Sequence, residues 1–218
     1  MRSTSTTSRS GSAGTKKVLI SLGPKRARIA RSQALNRRVA VALLPLVEVV
    51  RADRTDDGTL ATALAVAKQL RKSGVLVKDA PAFVVNRILT RLMGEVTRAA
   101  DEGTPIDVAD RALAPLGLPM SPFVLLQLVG PGVALHVAET LHEAFPDRFT
   151  VSENLRRLVA AGKPGIWSWD EKGRPYLDDE TAELFEQGDV ALSEDEVRER
   201  ALAAVAEEIR IMLDEGEV

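Results

Sequence analysis

Cysteine is absent from the 218 residues, which excludes disulfides, thiolate metal sites and thiol nucleophiles outright. Histidine occurs only at His136 and His142, too few for a multi-histidine metal centre. Aromatic residues make up 4% of the chain, and acidic residues are missing altogether from the first 47 positions. The longest apolar run, Val39 to Val50, is interrupted by Pro45 and Glu48. It falls short of the ~20 residues that span a bilayer, so no membrane helix is expected. What remains is 45% apolar and 28% charged. That suffices for one ordinary core, or one and a half small ones at ~100–150 residues each, and excludes wholesale disorder, collagen and coiled-coil composition.

The net charge of −2 hides an asymmetry. Residues 1–47 hold 10 Lys/Arg, whereas residues 48–218 hold 19 Lys/Arg against 31 Asp/Glu. Segments so unlike do not share one surface. Residues 1–15, with five Ser, four Thr and two Gly, have almost nothing to bury and are expected to be disordered. Residues 16–38 add basic side chains with weak periodicity. Three readings of this leader stay open: a non-native or vestigial segment, an Arg- and Ser-rich organellar targeting signal, or a nucleic-acid arm. The last is disfavoured because no aromatic residue interleaves the charges to stack on bases, and nucleic acid is not expected as a partner.

From Pro45 the texture changes. Leu46–Val50 reads as a strand, and Thr55-Asp56-Asp57-Gly58 as a turn that caps a helix carrying Leu60, Leu64, Ala67 and Leu70 up to Gly74. Val75–Val77 is a second strand. Together they predict one βαβ unit and a parallel strand pair, which a lone unit cannot bury on both faces. After Asp79 the pattern is helical. Phe83, Ile88, Leu92, Val96 and Ala99 make one stripe ending at Gly103, Asp107 is placed to cap a short helix, and Pro122 suits the first turn of the next. Residues 133–145 are amphipathic, with the two histidines six apart and read as structural or surface groups. Ser152 with Glu153 opens another helix. Residues 163–177 hold both tryptophans around a turn at Asp170–Gly173, an irregular or hairpin excursion. Ser193 and Glu196 form a capping box for a final helix to Gly216.

An internal repeat links two of these helices. At an offset of 113, Arg87, Leu89, Glu95, Asp101, Glu102 and Gly103 fall on Arg200, Leu202, Glu208, Asp214, Glu215 and Gly216. The shared Asp-Glu-Gly ending points to a duplicated helix. The second copy stops where the first would continue, so the chain reads as cut at both ends.

Three strings carry a family resemblance: Leu44-Pro45-Leu46-Val47-Glu48-Val49-Val50, Val77-Lys78-Asp79-Ala80-Pro81-Ala82-Phe83-Val84-Val85-Asn86-Arg87, and Gly117-Leu118-Pro119-Met120-Ser121-Pro122-Phe123. In this order and spacing, roughly 44–218 resembles the NAD-dependent 3-hydroxyacyl-CoA dehydrogenases of fatty-acid β-oxidation. The doubled helix is similar to the long multifunctional form. The resemblance implies a Rossmann domain that binds NAD, followed by a helical domain that dimerises and closes over an acyl-CoA. It also implies a catalytic His oriented by a Glu twelve residues later, and an Asn that hydrogen-bonds the substrate's reacting oxygen. Glu48 matches that Glu and Asn86 that Asn.

The chain departs from the family at the base. Twelve residues before Glu48 stands Asn36, which cannot accept and release a proton near neutral pH. Gly-x-Gly-x-x-Gly occurs nowhere, so NAD is the cofactor by resemblance without the glycine cradle that holds its pyrophosphate. Ala82 replaces the usual Gly, and Ile166-Trp167-Ser168-Trp169 replaces a Gly-Phe-Tyr-x-Tyr-like string.

The expected fold is mainly α: the residual βαβ edge of a Rossmann domain (44–80), a helical C-terminal-type domain (81–177) and the start of a second helical copy (178–218), behind a disordered basic leader without family resemblance (1–43). The expected function is that of a truncated 3-hydroxyacyl-CoA dehydrogenase-like protein, weak or inactive alone. Its site residues would be Glu48 and Asn86, with no cofactor-binding or metal residues. Acyl-CoA, a second copy of the chain and a cytoplasmic location complete this reading. The alternative is a catalytically silent helical dimerisation or interaction module.

Overall fold

The computed structural model of the chain describes residues 19–21, 45–186 and 188–218. Its sheet has the order β1 (Leu19–Ser21), β2 (Leu46–Arg51), β3 (Ser73–Lys78). β2 and β3 are parallel, in register from Leu46 opposite Ser73 to Arg51 opposite Lys78. The crossover is α1 (Asp57–Gln69), which buries Leu60, Ala63 and Ala67, the first two packed against Val47 and Val49. In β2, Val47, Glu48, Val49 and Val50 are all buried, as a parallel strand covered on both faces must be.

Two expectations change here. Leu19–Ser21 pairs antiparallel with β2, so the disordered reading of residues 1–43 does not hold for these three. A strand edge presents unpaired N–H and C=O groups, and three residues suffice to engage them. The rest of the leader, Asn36 included, lies outside the described residues. Further on, α1 stops at Leu70 and not at Gly74. Arg71 takes the left-handed conformation (φ 55°), and the Lys72 amide donates to the Ala67 carbonyl to close the end. Gly74 instead lies in β3, where a Cβ would stand 3.0 Å from the Leu64 side chain.

Beyond β3 comes the helical body: α2 (Val85–Glu102), α3 (Ile106–Arg111), a 3-10 turn (Ala114–Leu116), α4 (Pro122–Val129), α5 (Pro131–Ala144) and α6 (Glu153–Ala160). A hairpin, β4 (Ser168–Trp169) with β5 (Pro175–Tyr176), leads to the short α7 (Asp179–Ala182) and then the long α8 (Glu194–Asp214). Val96, Ala99, Ala100, Ile106, Leu113, Phe123, Leu126, Leu158, Val197 and Ala201 form its core. No single described helix is long and apolar enough to cross a membrane; only α4 and α5 together pass that test, and they are bent by 99°. Asp107 does not cap α3 as expected. Pro105 occupies that place, and Asp107 sits in the first turn paired with Arg111 at 2.8 Å. The expected capping box of α8 is complete, Ser193 and Glu196 each bonding the other's backbone.

α2 and α8, the two copies of the repeat, pack antiparallel and exchange their repeat-related charges. The Arg87 guanidinium meets the Glu208 carboxylate at 2.6 Å. Arg200, equivalent to Arg87, meets Glu95, equivalent to Glu208, as an ion pair at 3.1 Å. This is the reciprocity of a two-fold interface, built within one chain. The helix ends match too. Thr104 N–H donates to Ala99 and Glu217 N–H to Met212, the same bond five residues back past Gly103 and Gly216.

Gly103 is constrained twice. Its φ is 127°, and a Cβ would lie 2.3 Å from the carbonyl oxygen of Gly188, whose own N–H donates to Asp101. Gly103→Ala is expected to cost about 3 kcal/mol in urea unfolding, from left-handed strain plus displacement of a backbone segment. A loss under ~1 kcal/mol would contradict the close approach.

Candidate functional site

The segment 79–84 joins β3 to α2. It turns sharply, with Ala82 (φ 60°) and Phe83 (φ 54°) both left-handed and the Phe83 amide donating to the Ala80 carbonyl. Side chains reach that conformation only at a cost of ~1–2 kcal/mol each. Phe83, expected at the head of the α2 stripe, therefore precedes the helix. The turn delivers the first amides of α2 to Glu48. Oε1 of Glu48 accepts from Val84 N–H and from Val85 N–H, both at 2.9 Å. Glu48 is 4% exposed. A buried carboxylate is tolerated there because it satisfies two amides that have no partner within the helix and sits at the positive end of the helix dipole.

Asn86 is the next residue, half-buried in the first turn of α2, with its side-chain amide making no hydrogen bond to another described residue. The structure thus brings both expected site residues to one helix end. Asn36 falls outside the described residues, so its position relative to Glu48 is not defined.

Arg87, which follows Asn86, is fully buried. Glu208 accepts from its Nε at 2.8 Å and Nη2 at 2.6 Å, Glu217 from its Nη1 at 2.5 Å, and the Phe145 ring lies 4.5 Å from the guanidinium. Burial alone would lower the Arg87 pKa, but the bonds and charges of Glu208 and Glu217 hold it above its ordinary value. Arg148 stacks on the same ring at 4.2 Å and approaches Glu208 at 3.4 Å. The sequence shows Arg87 in a family string but gives no sign of its distant carboxylates.

A second missed residue is Asp110, buried at 7% exposure. Its carboxylate accepts from Ser121 Oγ at 2.7 Å, Phe123 N–H at 2.7 Å and Trp167 Nε1 at 2.8 Å. The Gly-Leu-Pro-Met-Ser-Pro-Phe string is thereby pinned to the tryptophan segment, and Asp110, not Ser121, bonds the α4 start. Trp167 is an anchor and Trp169 lies half exposed in the hairpin. A cleft of about 360 Å³ lined by Pro105, Ile106, Asp107, Trp167 and Leu177 contains neither Glu48 nor Asn86. His142 Nδ1 bonds the Phe149 carbonyl at 2.6 Å, and both histidines are surface residues. No group of three or more metal-binding side chains occurs among the described residues.

Comparison with known proteins identifies the class. A family model described as 3-hydroxyacyl-CoA dehydrogenase, NAD binding domain, matches residues 39–80, and one described as 3-hydroxyacyl-CoA dehydrogenase, C-terminal domain, matches residues 83–169. Residues 39–169 therefore belong to the 3-hydroxyacyl-CoA dehydrogenase family. The fatty acid oxidation complex subunit alpha of Idiomarina loihiensis is 38% identical over 122 residues, 56% of this chain and 17% of that protein. Its counterpart in Pseudomonas syringae is 29% identical over 191 residues, 80% of this chain and 26% of that protein. The chain thus spans between about a sixth and a quarter of those relatives. Among solved structures, (S)-3-hydroxybutyryl-CoA dehydrogenase from Ralstonia eutropha matches with TM-score 0.52 and 33% identity, over 56% of this chain and 44% of that one. The dehydrogenase part of a C. elegans multifunctional enzyme shares the fold, with TM-score 0.54 and 19% identity over 83% of this chain and 43% of that one.

Family resemblance implies NAD, and its fit can be tested at the one described βαβ turn. A dinucleotide's pyrophosphate sits on bare amides at a helix N-terminus after a strand. Here the Asp56 carboxylate already accepts from Thr59 N–H at 2.8 Å, with Asp53 and Asp57 beside it. This turn offers no pyrophosphate cradle, because its helix start is already capped by Asp56 and flanked in sequence by further carboxylates.

Glu48→Ala is expected to cost about 2 kcal/mol in urea unfolding, since it strands two amides, while Glu48→Gln keeps an acceptor and costs about half as much. Equal stability of all three proteins would contradict the capping role.

Proposed function

We propose that this chain carries the acyl-CoA side of a 3-hydroxyacyl-CoA dehydrogenase of fatty-acid oxidation, with Asn86 as the group that hydrogen-bonds the substrate's reacting oxygen. The observation that carries the reading is the junction at which buried Glu48 holds the first amides of α2, one residue before an Asn86 whose amide is bonded to no other described residue. An amide that is half-buried and unengaged at the mouth of a helix is available to a ligand oxygen.

On this reading the chain turns over little or nothing by itself. The carboxylate that would orient an imidazole is engaged with backbone, and Asn36, at the matching position, has no basic lone pair to take a proton. Acyl-CoA is accordingly the ligand class, and the relatives' role in fatty acid oxidation goes with a cytoplasmic location. Pairing of two copies completes the proposal, supported by the exposed apolar row Leu202, Ile209 and Leu213 on α8.

Acetoacetyl-CoA tests it. Calorimetry is expected to give binding that Asn86→Ala weakens by roughly three- to tenfold, the worth of one hydrogen bond, and incubation with NADH is expected to leave the nicotinamide absorbance unchanged. Absence of binding would overturn the acyl-CoA reading, and measurable NADH loss would overturn the missing base. Light scattering of the same sample reads the pairing, against which a strict monomer would count.

A further inference from the structure

The tail after α8 grips both sides of the strained turn 79–84. Gly216 (φ 63°) reverses the chain after Asp214, and the Glu217 N–H donates back to Met212. From there the Glu217 carbonyl accepts from the Lys78 N–H at 3.0 Å, at the last residue of β3. Lys78 Nζ adds a bond to the Glu215 carbonyl at 2.9 Å. On the other side of the turn, the Glu217 carboxylate accepts from Arg87 at 2.5 Å, in the first turn of α2. One residue therefore bridges the strand before the turn and the helix after it.

We infer that Glu217 is a positioning residue for the Glu48–Asn86 junction, fixing the turn that presents the first amides of α2 to Glu48. Three features make this more than packing. Ala82 and Phe83 are held in a conformation their side chains disfavour, so the turn relaxes unless its ends are restrained. The Glu217 side chain is largely buried, at 12% exposure, and its partner Arg87 is fully so, which makes their contact strong and little screened by salt. Glu208 belongs to α8 and anchors Arg87 without reaching β3, and Glu215, 3.6 Å from Arg87, meets β3 through the Lys78 side chain alone, so among the described residues Glu217 is the one that ties Arg87 to the β3 backbone.

The consequence is that the far end of the duplicated helix controls a site formed by β2 and α2. The inference rests on reading that junction as the acyl-CoA site, but its test uses no ligand, so the two fail separately.

Amide exchange in the whole chain reads it directly. The Val84 and Val85 amides are bonded to Glu48 and report its contact, whereas the Val96 and Ala99 amides lie deep in α2 and report the fold. In Glu217→Ala, exchange at Val84 and Val85 is expected to accelerate on the order of tenfold with Val96 and Ala99 changing less than about twofold. Glu217→Gln, which keeps an acceptor for Arg87, is expected to recover part of the protection. Unchanged rates at Val84 and Val85 would overturn the inference. So would an equal rise at all four amides in both variants, since that is loss of stability and not of position.

Discussion

One buried guanidinium organises the molecule. Arg87 stands at zero exposure between α2 and α8, and it is tolerated there only because Glu208 and Glu217 meet it and Phe145 covers its face. Removing a single partner from such a cluster strands a charge in the interior, at a cost of about 3–5 kcal/mol. That penalty fixes the register of the two helices more strictly than apolar packing would, because a slide by one turn would separate the charges. The same fixation holds the first turn of α2, which carries Asn86, at the point where Glu48 binds the helix start.

The reciprocal pairs give the repeat a physical meaning. A helix bearing an Arg near its start and a Glu eight residues later is complementary to an antiparallel copy of itself, and duplication supplies that copy within the chain. Arg87 finds Glu208 while Arg200 finds Glu95, and the matching Gly103 and Gly216 ends turn the chain in the same way. The residues just past the two glycines have different tasks. Thr104 accepts from the Leu192 amide, whereas Glu217 binds across to Lys78 and Arg87. The two copies thus share an interface but have divided its ends between holding the core and holding the site.

Much of the fold was legible because its signals are local. The strand–helix–strand periodicity, the capping box at Ser193, Pro122 in the first turn of α4 and the stop at Gly103 each depend on neighbours within a few residues, and each lies where its pattern placed it. Errors arose where a competing interaction was distant or a residue adopted a conformation its type disfavours. Arg71 took the left-handed stop assigned to Gly74, whose real constraint is the Leu64 side chain packed on β3. Asp107 was drawn to Arg111, and Phe83 was pulled out of its helix by the turn. At the site, Glu48 and Asn86 were visible only through family strings; no periodicity marks them. The amides that Glu48 binds lie 36 and 37 residues away, and the Arg87 carboxylates more than 120, separations over which sequence pattern carries no geometry.

The central claim, that the Arg87–Glu208 contact sets the register of α2 on α8 and through it the site, is tested most directly by a double-mutant cycle in urea with Arg87→Met, Glu208→Met and the double variant. A coupling of about 2 kcal/mol or more is predicted, the double variant being more stable than Arg87→Met alone because the buried Glu208 carboxylate is no longer left without its cation. Additive losses, with a coupling near zero, would contradict it.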